Sequence, residues 1–528
     1  MPSDQLAVEL RALHKTFGSV QANAGIHLKV RRGSIHAVIG ENGAGKSTAM
    51  KMLYGVYSPD SGEILVAGGA VKFRSPRDAI HAGIGMVHQH FMLAEPYSAL
   101  ENVILGSERS RPGWNWLPPL LRPVDRARAR DRLRKLSSDY GFKVDWDANV
   151  EALPVGVQQR IEILKLLYHD ASTLILDEPT AVLTPQEISE LFVQLRVMAS
   201  QGKSVLIITH KLKEVLALAD QVTVFRAGRV VGEREVAQTN ADELADLMVG
   251  RKVNLTAQAP PKAVIGEPVC EMRDLALEGS LRELNLCVRG GEVVGIAGVE
   301  GNGQSELLNL LLHARDRRKE VSGSFRIFGR DATELTADEI KRMGVGFIPE
   351  DRHREGLMLD RPVSENFLLG LQRRAPFAKR GFISRENWRA AASRALEAYD
   401  VRPRSLEVNA RGLSGGNQQK LIIAREFEKT PRFLVAAQPT RGVDVGAIES
   451  IHQRILAART SGTGVLLVSS ELDEILALAD RILVMYGGRF VAEFARGQAD
   501  ERKLGLSMSG SAAGRAEGSS IRPEGSLR

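Results

Sequence analysis

The chain has 528 residues and carries 71 Lys and Arg against 64 Asp and Glu, a formal net charge of +7. At roughly 100–200 residues per domain, this length predicts two domains. Apolar residues make up 43 % and charged residues 26 %, which is typical of a soluble globular protein. No run reaches the ~18 apolar residues that span a bilayer. Asp4 and Glu9 disfavour a signal peptide, so we expect folding in the cytoplasm.

The two cysteines and the basic charge each leave alternatives open. Cys270 and Cys287 are predicted to be buried reduced thiols rather than a disulfide or a metal pair. A positive net charge is compatible with nucleic acid or with an anionic membrane surface as a neighbour. Composition alone does not separate these neighbours.

The chain repeats itself. Residues 212–220 (LKEVLALAD) match 472–480 (LDEILALAD) at a shift of 260, and a shift of 258 maps Gly40 onto Gly298. Two copies of one domain are therefore predicted. Buried-strand patterns alternate with amphipathic helices in each copy, which predicts an α/β fold with a largely parallel sheet. The predicted boundaries are 1–255 for the first domain, 256–267 for a linker, 268–506 for the second domain and 507–528 for a flexible tail.

The first copy contains a phosphate-binding loop of the pattern G-x4-G-K-[ST], placed between a predicted strand and a predicted helix. Its glycines let backbone N–H groups surround phosphates at the positive end of the helix. The lysine reaches the β- and γ-phosphates and the serine hydroxyl can bind Mg²⁺. The predicted nucleotide-binding residues here are Gly40, Glu41, Asn42, Gly43, Ala44, Gly45, Lys46, Ser47 and Thr48.

Two acids end a later apolar strand in the same copy, TLILDE at 173–178. Asp177 is predicted to organise Mg²⁺, and Glu178 to polarise the attacking water. Two acids after a strand are weak evidence alone. Downstream of a phosphate-binding loop they predict a nucleotide-hydrolysing site.

At this point the residues resemble the ABC ATPases, over nearly the whole chain. The second copy carries LSGGNQQ at 413–419, similar to the signature of that superfamily, with Ser414, Gly415, Gly416, Asn417 and Gln418 as predicted nucleotide-binding residues. The resemblance also identifies Gln89 as the Q-loop glutamine and a metal ligand, His210 as the switch histidine, Phe17 as the adenine-stacking aromatic and Asp444 as the D-loop acid. It implies two tandem P-loop domains, each with an antiparallel β part and a helical subdomain.

Motifs of the second copy narrow the resemblance. They are similar to motifs in the ATP-binding subunits of bacterial simple-sugar and nucleoside importers, and comprise GNGQS at 301–305, IPEDR at 348–352 and AAQPTRG at 436–442. The residues around the first two motifs favour the nucleoside branch. The resemblance implies ATP and Mg²⁺ as cofactors and transmembrane permease subunits as partners. The chain would dock through 91–102 and 350–366, at the cytoplasmic face of the membrane. An extracytoplasmic solute-binding protein would act indirectly, and no nucleic acid is expected.

Paired head to tail, as the family implies, the two copies form two composite sites of unequal content. The first phosphate-binding loop with the second signature fills every role, with Lys46, Gln89, Glu178 and His210 as catalytic residues and Ser47, Gln89 and Asp177 at the metal. The opposite site carries replacements at the equivalent positions, namely Gln304, Glu350, Ala437, Gln438 and Ser470, beside a retained Ser305 and facing Pro154 in the partner signature and Thr184 at its D-loop. Independent decay would scatter losses over both sites. We therefore expect one catalytic site and one degenerate site.

A different class, soluble tandem ABC ATPases that act on ribosomes or nucleic acid, is the alternative. Such proteins usually keep both catalytic glutamates, whereas Gln438 stands in the second copy. The short proline-bearing linker and a cysteine count of two also disfavour this class, because a four-thiolate zinc site cannot be built. A purely regulatory nucleotide-binding protein is disfavoured by the complete first site.

Overall fold

A computed structural model describes residues 5–18, 20–41, 43–88, 92–108, 123–180, 183–252, 263–299, 301–443 and 445–508. The chain divides into two compact units, Met1–Val253 and Asn254–Arg528. Residues 256–262 of the predicted linker and 509–528 of the predicted tail lie outside the described residues.

The first unit is built on two sheets. Its strands are β1 (Leu6–Phe17), β2 (Val20–Arg31), β3 (Ile35–Gly40), β4 (Ser61–Val66), β5 (Gly69–Val71), β6 (Ile84–Val87), β7 (Thr173–Asp177), β8 (Ser204–Ile208), β9 (Gln221–Arg226) and β10 (Arg229–Glu235). Its helices are α1 (Lys46–Leu53), α2 (Pro76–His81), α3 (Ala99–Ile104), α4 (Arg126–Tyr140), α5 (Val155–Tyr168), α6 (Pro185–Ser200), α7 (Leu212–Leu218) and α8 (Ala241–Val249).

The central sheet of this unit has the order β10-β9-β3-β8-β7-β6, and all its pairings are parallel except β10 with β9. Every residue of β3, β7 and β8 is buried. Such uninterrupted burial is typical of parallel strands that are covered on both faces. The second sheet, β2-β1-β4-β5, is antiparallel. A hydrophobic cluster unites residues of both sheets and of α1, among them Leu28, Met50 and Phe225.

The second unit repeats this plan. Its strands are β11 (Pro268–Leu277), β12 (Leu281–Arg289), β13 (Val293–Ala297), β14 (Val321–Ile327), β15 (Arg330–Asp331), β16 (Val345–Ile348), β17 (Ala378–Lys379), β18 (Phe382–Ile383), β19 (Phe433–Ala437), β20 (Gly464–Ser469), β21 (Arg481–Tyr486) and β22 (Arg489–Ala495). Its helices are α9 (Gln304–His313), α10 (Ala337–Arg342), α11 (Val363–Leu368), α12 (Arg385–Ala398), α13 (Gly415–Glu428), α14 (Val445–Thr460), α15 (Leu472–Leu478) and α16 (Glu501–Met508).

The strand orders confirm the predicted α/β class and the internal repeat. The second central sheet runs β16-β19-β20-β13-β21-β22, which is the order of the first unit read from its other edge. An antiparallel sheet, β12-β11-β14-β15, again accompanies it, and β17-β18 forms a separate hairpin. The last helix ends at Met508, which is buried, two residues beyond the predicted domain limit. No helix in the described ranges is long and apolar enough to cross a membrane.

Candidate functional site

The phosphate-binding loop of the first unit joins the end of β3 to the start of α1, as predicted. Gly40, Gly43 and Gly45 have φ of 153°, 83° and 97°. A Cβ at Gly45 would lie 2.4 Å from the carbonyl oxygen of Ala22 and 2.6 Å from Asn23 Nδ2. Glycine is therefore required at this position by backbone conformation and by space. Ala44 is buried and donates its N–H to the Glu41 carbonyl at 3.1 Å. This hydrogen bond forms a tight turn within the loop.

The lysine of this loop lies beneath it. Lys46 is buried, and its ammonium donates hydrogen bonds to the carbonyls of Gly40 at 2.7 Å and Glu41 at 3.0 Å. Burial lowers the pKa of Lys46, while the negative charges of Glu178 and Asp177 oppose that effect. The ammonium is thus held inside the loop, where a phosphate could exchange with the two carbonyls.

A carboxylate and a hydroxyl adjoin the lysine. Asp177 ends β7 and accepts a hydrogen bond from the Ser47 hydroxyl. Burial, helped by the negative charge of Glu178, raises the pKa of Asp177 to about 6. Desolvated oxygen ligands of this kind fit Mg²⁺, which takes one or two carboxylates together with substrate phosphates. Within the described ranges, no cluster of three or more His, Cys, Asp or Glu side chains forms a metal cage.

Glu178 and His210 meet although 32 residues separate them. Glu178 follows β7 with a φ of 48°, and its N–H donates to the Ile208 carbonyl at 2.9 Å. His210 Nδ1 lies 2.9 Å from Glu178 Oε1. Burial raises the pKa of Glu178, but the hydrogen bond and charge of His210 outweigh it, so that the net pKa is lowered. The pair is a preoriented carboxylate suited to accept a proton from water.

An exposed aromatic group ends β1 of the same unit. Phe17 is 42 % exposed and packs edge-on against Tyr57, with ring centroids 5.1 Å apart, while Lys15 Nζ lies 5.6 Å from the Phe17 ring. Tyr57 was missed in the sequence because it belongs to no motif. Thr48 lies in the first turn of α1. Asn42 and Gln89 fall outside the described residues.

The signature of the second unit lies at the start of α13. Ser414 is the residue before the helix, and its hydroxyl accepts a hydrogen bond from Asn417 Nδ2 at 2.8 Å. Gly415 and Gly416 form the first turn. A Cβ at Gly415 would lie 2.7 Å from Arg352 Nη2, and Arg352 Nη1 donates to the Arg441 carbonyl at 2.9 Å. Arg352 is therefore a neighbour of the signature that sequence reasoning missed, although it lies in the quoted IPEDR stretch.

One predicted member of this motif faces the interior. Gln418 is buried, its amide nitrogen donates to the Ala410 carbonyl at 3.0 Å, and its Oε1 lies 2.9 Å from His353 Nε2. Contact of this side chain with a nucleotide is not supported by the structure, because both ends of its amide are bonded inside the unit. Asp444 lies outside the described residues.

The second phosphate-binding loop keeps the shape and loses the charge. Gln304 Nε2 donates to the Val299 carbonyl at 3.0 Å, and its Oε1 accepts the Asn302 N–H at 3.1 Å. The amide thus occupies the place of the lysine without its positive charge. Ala437 ends β19 with no carboxylate. Ser305 instead donates its hydroxyl to Glu350 Oε2 at 3.0 Å.

The residues at the catalytic positions of the second unit also form a pair. Gln438 has a φ of 45°, and its Oε1 accepts hydrogen bonds from the backbone N–H and the hydroxyl of Ser470, both at 3.2 Å. The geometry copies that of Glu178 and His210, with an amide and a hydroxyl in place of a carboxylate and an imidazole. A neutral amide is a far weaker proton acceptor than a carboxylate.

The first unit's counterpart of the signature has its own structural solution. Pro154 precedes α5, where a proline is tolerated because the first helical N–H groups have no intrahelical partner. Thr184, at the D-loop position, caps α6: its Oγ1 accepts the Glu187 N–H at 3.2 Å and donates to Glu187 Oε2 at 3.0 Å. Thr184 is thus explained by helix capping without any role toward nucleotide.

Comparison with known proteins gives one family for both units. A family model described as ABC transporter matches residues 24–181 and 281–441. The chain is 44 % identical to the Guanosine import ATP-binding protein NupO of Bacillus subtilis, over 97 % of this chain and 100 % of that protein. It is 43 % identical to the Nucleoside import ATP-binding protein NupA of Lactococcus lactis subsp. cremoris, over 96 % and 99 %. It is 45 % identical to the Glucose import ATP-binding protein TsgD13 of Haloferax volcanii, over 94 % of each.

A solved structure supports the fold of the whole chain. The structure described as RNase-L Inhibitor matches 94 % of this chain and 92 % of its own, with a TM-score of 0.62 and 18 % identity. At that identity the likeness concerns the fold alone. It adds no support to the ribosome or nucleic-acid alternative.

Proposed function

Because the chain belongs to the ABC transporter family, whose ATP-binding proteins are ATPases, we propose that it powers import of a nucleoside through separate membrane subunits. Only one composite site hydrolyses ATP in this proposal. The observation that carries it is the contrast between the Glu178–His210 pair, beside Lys46, and the Gln438–Ser470 pair, beside Gln304. One set provides charge and a proton acceptor, and the other provides neither.

In the catalytic site the side chains would act as follows. Lys46 would leave the two loop carbonyls and neutralise charge on the β- and γ-phosphates. Glu178, held by His210, would orient the attacking water and accept its proton. Ser47 and Asp177, with Gln89, would hold Mg²⁺, which supplies charge neutralisation at the phosphate oxygens. Ser414 and the first N–H groups of α13 would complete the site from the second unit's signature.

The degenerate site would hold nucleotide without hydrolysing it or would act only as a structural hinge. The Val299 carbonyl, which matches the Glu41 carbonyl that Lys46 would release, remains bonded to the Gln304 amide in the second loop. The hydroxyl expected to meet a metal is bonded to Glu350. With the general base, the lysine and the metal-organising acid all replaced, hydrolysis there would be negligible, since a general base alone contributes ~10²–10⁴-fold.

The test compares one substitution in the catalytic site with substitutions in the degenerate site of the assembled transporter. Glu178→Gln should lower steady-state ATP hydrolysis by about 10²–10⁴-fold, because the amide cannot accept the proton. Ser305→Ala, in the other loop, should leave most of the activity. The matched control Gln438→Ala should also be nearly silent. Comparable losses from Glu178→Gln and Ser305→Ala would contradict the asymmetric model.

The proposed partners and location follow from the relatives' names. Import ATP-binding proteins work with membrane permeases, so this chain would dock at the cytoplasmic face of the cell membrane through 91–102 and 350–366, which we name the docking segments. A solute-binding protein outside the membrane would deliver the solute. A nucleoside is favoured over a sugar because the sequences at 298–307 and 348–357 resemble those of the nucleoside importers more than those of the sugar importers.

The solute is tested separately, because residues around ATP do not touch it. Deletion of the gene should abolish uptake of radiolabelled guanosine or another nucleoside and leave uptake of ribose, galactose and glucose unchanged. The opposite pattern would identify a sugar importer and would leave the catalytic proposal standing.

A further inference from the structure

The hairpin β17–β18 presents an unusual combination of side chains to solvent. Phe382 is 82 % exposed and Ile383 is 46 % exposed. No other Phe, Tyr or Trp in the described part of the chain exceeds the 51 % of Tyr97. A single exposed ring is common on protein surfaces, so this ring indicates a contact with another surface only together with the charges beside it.

Basic residues surround this ring. Residues 373–389 contain six Lys or Arg and a single acid, Glu386. Lys379, Arg380 and Arg385 are exposed, and among the described residues none of the three forms an ion pair. Lys379 lies directly opposite Phe382 in the hairpin register, so the two side chains leave the same face. An apolar ring beside unpaired cations is complementary to a surface whose outer layer carries negative charge and whose inner layer is apolar.

The turn of the hairpin holds a cation where the backbone disfavours one. Arg380 has a φ of 51° and Gly381 a φ of 86°, the pattern of a two-residue type I′ turn. Asn, Asp or Gly is preferred at the first of these positions, because a side chain with a Cβ and no local hydrogen bond is strained there. Arginine at this position therefore sacrifices local stability for a charge at the tip.

The hairpin is fixed to the subdomain that carries a docking segment. Phe377, just before β17, is buried in the unit's core, and the Ser384 N–H after β18 donates to its carbonyl at 2.8 Å. In the following helix α12, Trp388 Nε1 donates to the Ser364 carbonyl of α11 at 2.7 Å. Ser364 belongs to the docking segment 350–366. Because these contacts tie the hairpin to that segment, the tip would lie near the membrane whenever the segment is docked.

We propose that the tip 379–383 binds the anionic phospholipid surface of the membrane, with Phe382 inserted at the headgroup level and Lys379 and Arg380 on lipid phosphates. The nearness of a membrane rests on the proposed function, whereas affinity of the tip for anionic lipid does not. Each basic residue near such a surface contributes about fivefold in partitioning. Burial of the Phe382 ring contributes about tenfold.

The test measures co-sedimentation of the purified full chain with vesicles. The wild-type chain should bind vesicles of phosphatidylglycerol and phosphatidylcholine, should bind phosphatidylcholine alone much less, and should dissociate at about 1 M salt, where screening is strong. Arg380→Asn should reduce binding about fivefold. Since Asn suits the turn, the variant should unfold no earlier than wild type on heating. Phe382→Ser should reduce binding about tenfold.

Matched controls separate this surface from general charge and apolarity. Arg282→Asn removes an exposed cation from β12 of the same unit, and Val193→Ser removes a 65 % exposed apolar side chain from α6. Both should bind like wild type. Unchanged binding by Arg380→Asn and Phe382→Ser, or failure of wild type to bind anionic vesicles, would overturn the proposal.

Two further readouts keep the proposals apart. If wild type ignores vesicles while Phe382→Ser weakens co-purification with the permease in detergent, the tip contacts protein and the lipid proposal is wrong. ATP hydrolysis by the detergent-solubilised complex is measured without a bilayer. If Glu178→Gln and Ser305→Ala lower ATP hydrolysis by this complex equally, the proposed function is refuted. The vesicle result does not depend on that outcome.

Discussion

A buried histidine in the strand that carries the phosphate-binding loop makes the first unit sensitive to acid. His36 is the second residue of β3, four residues before Gly40, and its Nε2 lies 2.8 Å from Thr223 Oγ1. Burial lowers the pKa of His36 from 6.5 to about 4, and a weaker hydrogen-bond effect of Gln221 opposes it. The folded state therefore favours the neutral ring.

The size of the effect follows from that gap. At ~1.4 kcal/mol per unit of pKa, the difference between 6.5 unfolded and about 4 folded corresponds to about 3.5 kcal/mol, of which about 3 kcal/mol is lost by pH 4. Between these values the unfolded chain binds the proton and the folded chain does not. The contribution of His36 to stability is thus complete above about pH 6.5 and is lost as the pH falls towards about 4.

Urea unfolding monitored by tryptophan fluorescence measures this loss. In a Trp388→Phe background the remaining tryptophans, at 114, 116 and 146, all belong to the first unit. Between about pH 7.5 and about pH 4, His36→Gln should lose about 3 kcal/mol less unfolding free energy than its parent, because glutamine does not titrate. His27→Gln, at an exposed position in β2, should behave like the parent. An equal acid loss in His36→Gln and its parent would refute the reasoning.

Two further predictions concern stability. Thr184→Ala should lower the free energy of unfolding of the first unit by about 1 kcal/mol through loss of the cap on α6, whereas Thr184→Asp, which can still accept the Glu187 N–H, should be nearly neutral in urea unfolding. Glu426→Gln should destabilise the second unit by about 3–5 kcal/mol, because Glu426 is the buried partner of Arg425 at 3.0 Å and Lys429 at 2.7 Å, and loss of its charge leaves two buried cations. Thermal unfolding followed by circular dichroism measures it, and a loss below about 1 kcal/mol would mean that water reaches these cations.

Local patterns account for what could be predicted from the sequence. The repeat at a shift of 260, the buried strands and the glycines of the first loop are properties of short segments, so they indicated two α/β copies and a phosphate-binding loop without tertiary information. Gly45 illustrates the reason: the loop demands a positive φ, and glycine tolerates it. The predicted roles of Gln89, Asn42 and Asp444 concern positions outside the described residues and stay predictions.

Tertiary structure decided which distant groups meet. Glu178 reaches His210 only because β7 and β8 are neighbours in the parallel sheet, which brings the ends of both strands to one edge. The neighbouring strands β19 and β20 bring Gln438 to Ser470 in the same way. No short pattern encodes such contacts, since they depend on strand order. The sequence by itself determined which side chains the two loops contain. The fold determined that Gln438 and Ser470 form a neutral pair at the position where Glu178 and His210 form a pair with a carboxylate.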